Sequence, residues 1–422
     1  MASFDRSQEL WSRAERVIPL GTQTLSKGPS QFVQGVTPIY LERGRGSHVW
    51  DVDGNEYVDW PMALGPVLLG HADPEVDEAI VRQLRDGITF TLMHPLEVEV
   101  AERIVAMCPG VEAVRFGKTG SDANSAAIRA ARAITGRDVV VAIGYHGWHD
   151  WYIGSTTRAI GVPESQRALT VAAPFNDLES LAAVLDAHAG QVAAVICEPV
   201  AADVPDAGYL EGLVELARRH GALSIFDEII VGFRIAPGGA RERYGVEPDL
   251  STYGKALGNG MPISAVGGRW EIMRVFEQVF FSGTHGGEAL SLAAARVVLD
   301  VVADGAGLAH IERVGQRLLN GIRASLDRHG LHDQVVVGGL PSRIVVQPAG
   351  GDLVRKSWMQ QCLVERGAIF NGNLIPCMRH DDDDVDRTLA GFEDAFEVLA
   401  DPSADVAGLL KGPPVQPVFR AP

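Results

Sequence analysis

The sequence predicts an α/β fold with a largely parallel sheet. Short, fully apolar runs at residues 139–143, 192–197 and 222–226 read as strands buried on both faces. Helical patterns lie between such runs, as at 210–220, where Gly221 ends the helix. The alternation continues from Gly65 to about residue 305, as helical crossovers between parallel strands require.

Outside that region the pattern differs. Residues 7–17 predict an amphipathic helix with Leu10, Trp11, Ala14 and Val17 on one face, ended by Pro19 and Gly21. A polar stretch spans 22–35. Residues 48–52 and 56–60 alternate as two strands, and Asp53-Gly54 predicts a tight hairpin between them. Helices are expected at 96–108, before Pro109-Gly110, and at 122–134, before Thr135-Gly136. Beyond residue 305 come a long helix, two apolar runs at 334–338 and 343–347, and helices near 354–366 and 385–400. The acidic run 381–384 reads as capping charge for the last of these. The expected organisation is an N-terminal segment, 1–64, that joins a C-terminal small α+β domain, 306–422, around a large domain, 65–305.

Composition excludes several functions. The net charge of −17 argues against nucleic acid or an anionic membrane as the main partner. No apolar run reaches the roughly 18 residues of a membrane span. The N-terminus lacks the basic and apolar regions of a secretory signal. The four cysteines, Cys108, Cys197, Cys362 and Cys377, are scattered and suggest neither zinc nor a disulfide framework. A cytoplasmic protein without a metal is expected.

Three segments carry chemistry. The first, Lys118-Thr119-Gly120-Ser121-Asp122-Ala123-Asn124, places a glycine turn at a helix start. Free N–H groups and the positive end of the helix dipole there suit a phosphate. The same residues also suit an ordinary capped helix, with Ser121 or Asp122 as the cap. In the second, Asp227 ends an apolar run, at the sheet edge where α/β folds bind ligands. A carboxylate buried there needs a cationic partner; otherwise it caps the next turn. In the third, Lys255 stands among small residues and glycines from Ser251 to Pro262. It is either a surface lysine or an amine in a crowded pocket, neutral enough to attack a carbonyl.

These segments occur in a set order. Thr119-Gly120-Ser121-Asp122-Ala123-Asn124 precedes Tyr145-His146-Gly147 and Glu198-Pro199. Then come Phe226-Asp227-Glu228-Ile229 with Gly232-Phe233-Arg234, Lys255, and Ser282-Gly283-Thr284-His285-Gly286-Gly287. The ordered set resembles the class III pyridoxal-phosphate-dependent aminotransferases, and within them the glutamate-1-semialdehyde aminomutase branch. Residues 51–59, 65–74 and 380–392 extend the resemblance to nearly the whole chain. It implies fold type I, with a mostly parallel seven-stranded sheet and a small domain built from both chain ends. It implies pyridoxal 5'-phosphate as cofactor and a homodimer with active sites at the interface. Gly120 and Ser121 would bind the phosphate, Tyr145 would stack on the ring and Ile229 would pack on its other face. Asp227 would pair with the pyridine nitrogen. Lys255 would hold the aldehyde as a Schiff base and shuttle the proton. Thr284 would reach the phosphate of the neighbouring subunit's cofactor. His146 and His149 read as packing or hydrogen-bonding residues, and Trp148 and Trp151 as pocket lining or core.

The chain also departs from that branch. Its N-terminal loop usually carries an arginine that clamps the substrate carboxylate. Here residues 18–29 have none, and Gln23, Thr24, Ser26 and Lys27 stand there instead. Leu64 replaces a frequent tryptophan, and Asp203 a frequent asparagine. The expected activity is therefore amino transfer from an amino-acid donor, glutamate by analogy, to a carbonyl other than an ordinary α-keto acid. A keto-sugar suits the hydroxyl-matched loop. The alternative is the aminomutase reaction, or a related isomerase or epimerase.

Overall fold

Six of the seven strands in the central sheet run the same way, so their carboxyl ends share one edge. The computed structural model describes residues 3–417. They divide into two units, the first comprising the chain up to Asp73 and again from Ala309, the second running from Pro74 to Leu308.

The second unit holds the sheet: β1 (Ala113–Gly117), β2 (Val139–Ile143), β3 (Thr170–Ala172), β4 (Val192–Cys197), β5 (Leu223–Glu228), β6 (Leu250–Tyr253) and β7 (Ser264–Gly268). Their order is β1-β7-β6-β5-β4-β2-β3. Only β7 is antiparallel to its neighbours. The sheet is thus the mostly parallel one expected. Strands β2 and β4 are buried at every position, which is why unbroken apolar runs revealed them. Helix α1 (Gly120–Thr135) lays Ala126, Ala127, Ala130 and Ala131 against Val140, Ala142, Ile196 and Ile225 in one core. Side chains without γ atoms let the helix axis approach the sheet closely, and larger ones there would overpack it.

The expected boundaries shift in two places that bear on function. The apolar run at 222–226 is the start of a strand that continues to Glu228, so Asp227 is a strand residue, and its Oδ1 also caps the following turn by accepting from the Ile229 N–H. The helix expected from 122 begins at Gly120.

In the first unit both chain ends build one core: Val58 and Trp60 pack with Leu318, Ile322, Met359, Phe392 and Phe396. Strands His48–Asp51 and Glu56–Asp59 pair antiparallel, as expected, but the connection is not a tight two-residue turn. It is a loop of residues 52–55 organised by Asp51. That carboxylate accepts from the N–H groups of Asp53 (3.0 Å) and Asn55 (2.8 Å), and from Asn55 Nδ2 (2.8 Å). Only Gly54 adopts a positive φ there, of 89°. Asp381 caps helix Asp382–Leu399, accepting from the N–H groups of Asp383 and Asp384, as the acidic run suggested. No helix among the described residues is long and apolar enough to cross a membrane.

Candidate active site

Five parallel strands deliver residues to the shared edge. Each site residue follows from where its strand ends: Gly120 and Ser121 after β1, Tyr145 and His146 after β2, Glu198 after β4, Asp227 and Ile229 at the end of β5, and Lys255 after β6.

Asp227 is the centre of this cluster and is 4% exposed. Its Oδ2 accepts from Asn124 Nδ2 at 2.7 Å and meets His146 Nδ1 at 2.8 Å; Oδ1 accepts from the N–H of Ile229 at 3.1 Å. Asn124 is itself fixed, because its Oδ1 accepts from Thr252 Oγ1 at 2.6 Å. That bond orients the amide so that its NH2 faces the carboxylate. His146 is fully buried and stacks near Trp151 at 6.2 Å. His146 pairs with Asp227. A buried carboxylate held at the sheet edge suits a ligand that brings a positive charge.

The start of α1 is capped by Thr119, not by Ser121 or Asp122. Thr119 Oγ1 accepts from the Asp122 N–H at 3.2 Å, and Asp122 Oδ2 accepts from the Thr119 N–H at 2.8 Å. This capping box leaves the N–H groups of Gly120 and Ser121 beyond the reach of the helix's own carbonyls. Ser121 Oγ accepts from the N–H of Trp148 at 3.2 Å. A side chain at Gly147, where φ is 100°, would collide with that hydroxyl.

Ile229 lies against both the start of α1 and the lysine loop. A Cβ at Gly120 would lie 3.0 Å from Ile229 Cγ2, and one at Gly254 would lie 3.1 Å from Ile229 Cδ1. Lys255 follows directly, half-buried, with φ at 41°. A lysine in the left-handed region is strained, and such strain persists where the surroundings hold it.

Tyr145 is 50% exposed, its ring edge-on to Tyr152 at 5.6 Å. Its N–H donates to Glu198 Oε1 at 2.7 Å. Burial, and then the charges of Asp227 and Glu198, push its hydroxyl above the ordinary tyrosine range. The structure therefore gathers Gly120, Ser121, Tyr145, Asp227, Ile229 and Lys255 along one edge of the sheet. Thr284 is not with them: it is exposed in the loop before helix Ala289–Val302.

A model of the class III aminotransferases matches residues 31–349. The chain belongs to the class III aminotransferases. The glutamate-1-semialdehyde 2,1-aminomutase of Chloroflexus aggregans is 34% identical, over 94% of this chain and 98% of its own. Among solved structures, the PLP-bound FumI protein of Sphingopyxis sp. MTA144 superposes with a TM-score of 0.89 at 30% identity, covering 96% of this chain and 99% of that one. An ω-transaminase from Sphaerobacter thermophilus gives 0.86 at 27% identity, covering 93% and 97%. This aminotransferase is thus a pyridoxal-phosphate enzyme of fold type I, and the cluster fits that cofactor. The bare start of α1 suits its phosphate, buried Asp227 its ring nitrogen, and Lys255 its aldehyde.

Sequence reasoning missed Asn124 and Thr252 as supports of Asp227. Asn124 lies three residues after Ser121, on the same helix face, and that spacing was the available signal. His146 does serve a hydrogen-bonding role, to Asp227 itself. In the first unit of the aminotransferase, Ser26, Lys27 and Leu64 line one cleft of about 460 Å3. Gln23 and Thr24 are exposed and do not line it.

Proposed function

We propose that Lys255 performs amino-group chemistry on a small carbonyl or amine substrate, with Asp227 setting the electronics of the cofactor ring. The observation that carries this is buried Asp227, held by Asn124, His146 and the Ile229 N–H, on the same sheet edge as Lys255. Pyridoxal phosphate supplies an aldehyde that condenses with amines and a ring that accepts electron density.

The protein's own groups do the rest. The Gly120 and Ser121 N–H groups, at the positive end of α1, would hold the phosphate. Tyr145 and Ile229 would flank the ring. Asp227, held in place by Asn124, His146 and the Ile229 N–H, would face the ring nitrogen and favour its protonated form. Lys255 would hold the cofactor through its aldehyde, and its amine, once free, would move the proton at the substrate carbon. Replacing Lys255 by alanine is expected to abolish both turnover and the visible absorbance of the lysine-bound cofactor. Survival of either one defeats the proposal.

The names of the curated relatives support the aminomutase, a transfer within glutamate 1-semialdehyde from C2 to C1. They lend no support to the keto-sugar acceptor expected from the N-terminal loop. A second reading, transfer to a hydroxylated carbonyl compound, keeps one specific observation: Ser26, Lys27 and Leu64, three points of departure, share a cleft. The readings separate cleanly. An aminomutase converts glutamate 1-semialdehyde alone into 5-amino-4-oxopentanoate. A transaminase requires a second substrate and releases a keto acid, such as 2-oxoglutarate from glutamate.

The proposal includes a homodimer in which Thr284 reaches the cofactor phosphate of the partner subunit. Support comes from the exposure of Phe90, Leu92, Met93 and Phe280, the last three 76–82% exposed. Sedimentation showing only monomer overturns that part. A reducing, cytoplasmic setting is supported by the four cysteines, all buried and none in a disulfide.

A further inference from the structure

The loop that carries Thr284 is exposed at its tip and tied down at both shoulders. Ser282, Gly283, Thr284 and His285 are all exposed. On the leading shoulder, Arg129 donates to the Phe280 carbonyl at 2.8 Å and Arg115 to the Phe281 carbonyl at 2.7 Å. The Phe281 ring lies close over Gly117, where a Cβ would stand 3.2 Å from its Cζ. Across the tip, the Gly286 N–H donates to the Gly283 carbonyl at 3.0 Å. On the trailing shoulder, Lys118 Nζ donates to Glu288 Oε2 at 2.9 Å.

These cations come from one short stretch of chain. Arg115 is on β1, Arg129 is on α1, and Lys118 lies in the connection between them. That connection leads directly into Gly120 and Ser121. The segment with bare N–H groups for one phosphate therefore also fixes both ends of the Thr284 loop. One anchor would let the tip swing; two anchors on one segment set its height.

The Lys118–Glu288 tie is the least exposed of them. Its side chains are 21% and 12% exposed, whereas Arg115 and Arg129 are exposed residues. Glu288 also caps helix Ala289–Val302, accepting from the Leu290 N–H at 2.6 Å and from Ser291 Oγ at 2.5 Å. Burial opposes its charge, yet the Ser291 hydroxyl and Lys118 hold its carboxyl below the ordinary glutamate range. A carboxylate fixed this way gives Lys118 a stationary partner, and their shielded bond is screened by salt less than an exposed one.

We propose that Lys118 is a positioning residue for cofactor retention: through Glu288 it holds the loop so that the Thr284 hydroxyl meets the cofactor phosphate of the partner subunit. The proposal rests on the homodimeric reading of Thr284.

Cofactor release from the full-length holoenzyme in equilibrium dialysis, with phosphorus NMR of the bound phosphate, tests this. Thr284→Ala is expected to raise the cofactor dissociation constant about tenfold, the usual weight of one hydrogen bond to a charged group. Lys118→Met should raise it by a similar factor and displace the phosphorus resonance. Lys118→Arg, which keeps the charge and the donors, should stay near wild type. Glu288 retains its helix donors in Lys118→Met, so the fold should persist. Arg103→Gln breaks a pair to Asp300, near the far end of the same helix, and should move neither readout. In the combined Lys118→Met and Thr284→Ala variant the losses should not add, because one residue acts through the other. Additive losses, wild-type retention in Lys118→Met, or an equal loss in Arg103→Gln overturns the proposal and leaves the Thr284 reading standing. Wild-type retention in Thr284→Ala overturns both.

Discussion

Asp227 and Glu228 are neighbours on β5, and both are buried, yet their surroundings differ in kind. Successive strand residues face opposite sides of the sheet. On one side Asp227 meets His146 and Asn124, whose amide is held by Thr252, with the site beyond. On the other, Glu228 accepts from the Ala240 N–H at 2.5 Å and from Ser251 Oγ at 3.2 Å. Arg241 packs nearby but spends its donors on Ser251, Pro109 O and Pro248 O. Burial raises the Glu228 carboxyl to about 7, and the Ala240 N–H and Arg241 only partly oppose it. One carboxylate is thus ringed by donors and left open to a ligand; the other is sealed into structure. A pair of adjacent acids in a sequence does not share a function merely by adjacency.

Substitutions should widen that contrast. Asp227→Asn removes the charge opposite the ring nitrogen, and a loss of about 10²–10³-fold in kcat is expected in steady-state assays, the range for losing one electrostatic contact to a reacting centre. Glu228→Gln should leave kcat within a few-fold, because the side chain faces away from the site. An equal loss in the two variants would erase the distinction.

Glu228 should instead govern stability against pH. Its folded pKa, about 7, lies above the ordinary 4.5 of the unfolded chain. The folded state therefore binds the proton more tightly, and stability falls as pH rises through that window. The loss is about 3 kcal/mol, complete only above the folded pKa. Denaturant melts between pH 5 and 8 should show this slope, and Glu228→Gln should flatten it.

Asn124→Asp sets a second carboxylate where the amide donates to Asp227. Repulsion at that distance and the lost donor should displace the Asp227 carboxylate and reduce kcat by about tenfold. The smallest effect belongs to Thr119→Ala, which removes the cap of α1. A loss of about 1 kcal/mol in stability is expected, with weaker cofactor retention measured by dialysis.

Much of the fold was legible because its central strands are unbroken apolar runs. Strands β2, β4 and β5 were visible for that reason. Strand β6 was not, since Leu250–Tyr253 contains Ser251 and Thr252, polar groups buried by partners far away in sequence. Strand β7 is small residues and glycine, and β3 has three residues; neither offers a pattern. At the site, glycines, an aspartate after an apolar run and a lysine in a glycine loop announce themselves by type. Thr252 does not, because its role is to orient Asn124, and only the folded sheet brings the two together. The Asp53-Gly54 turn misled because a buried aspartate, Asp51, organised a longer loop around it.

Ile229 couples positions that are distant along the chain. Gly120 and Gly254 are both bare toward its side chain: a Cβ at Gly120 would lie 3.2 Å from Ile229 Cδ1, and one at Gly254 3.1 Å. Ile229 is therefore in close contact with both the start of α1 and the lysine loop. A methyl group gained at either glycine has to be matched by atoms lost from residue 229. A side chain at Gly120 or Gly254 alone would therefore press on Ile229 and disturb the spacing between the start of α1 and the Lys255 loop.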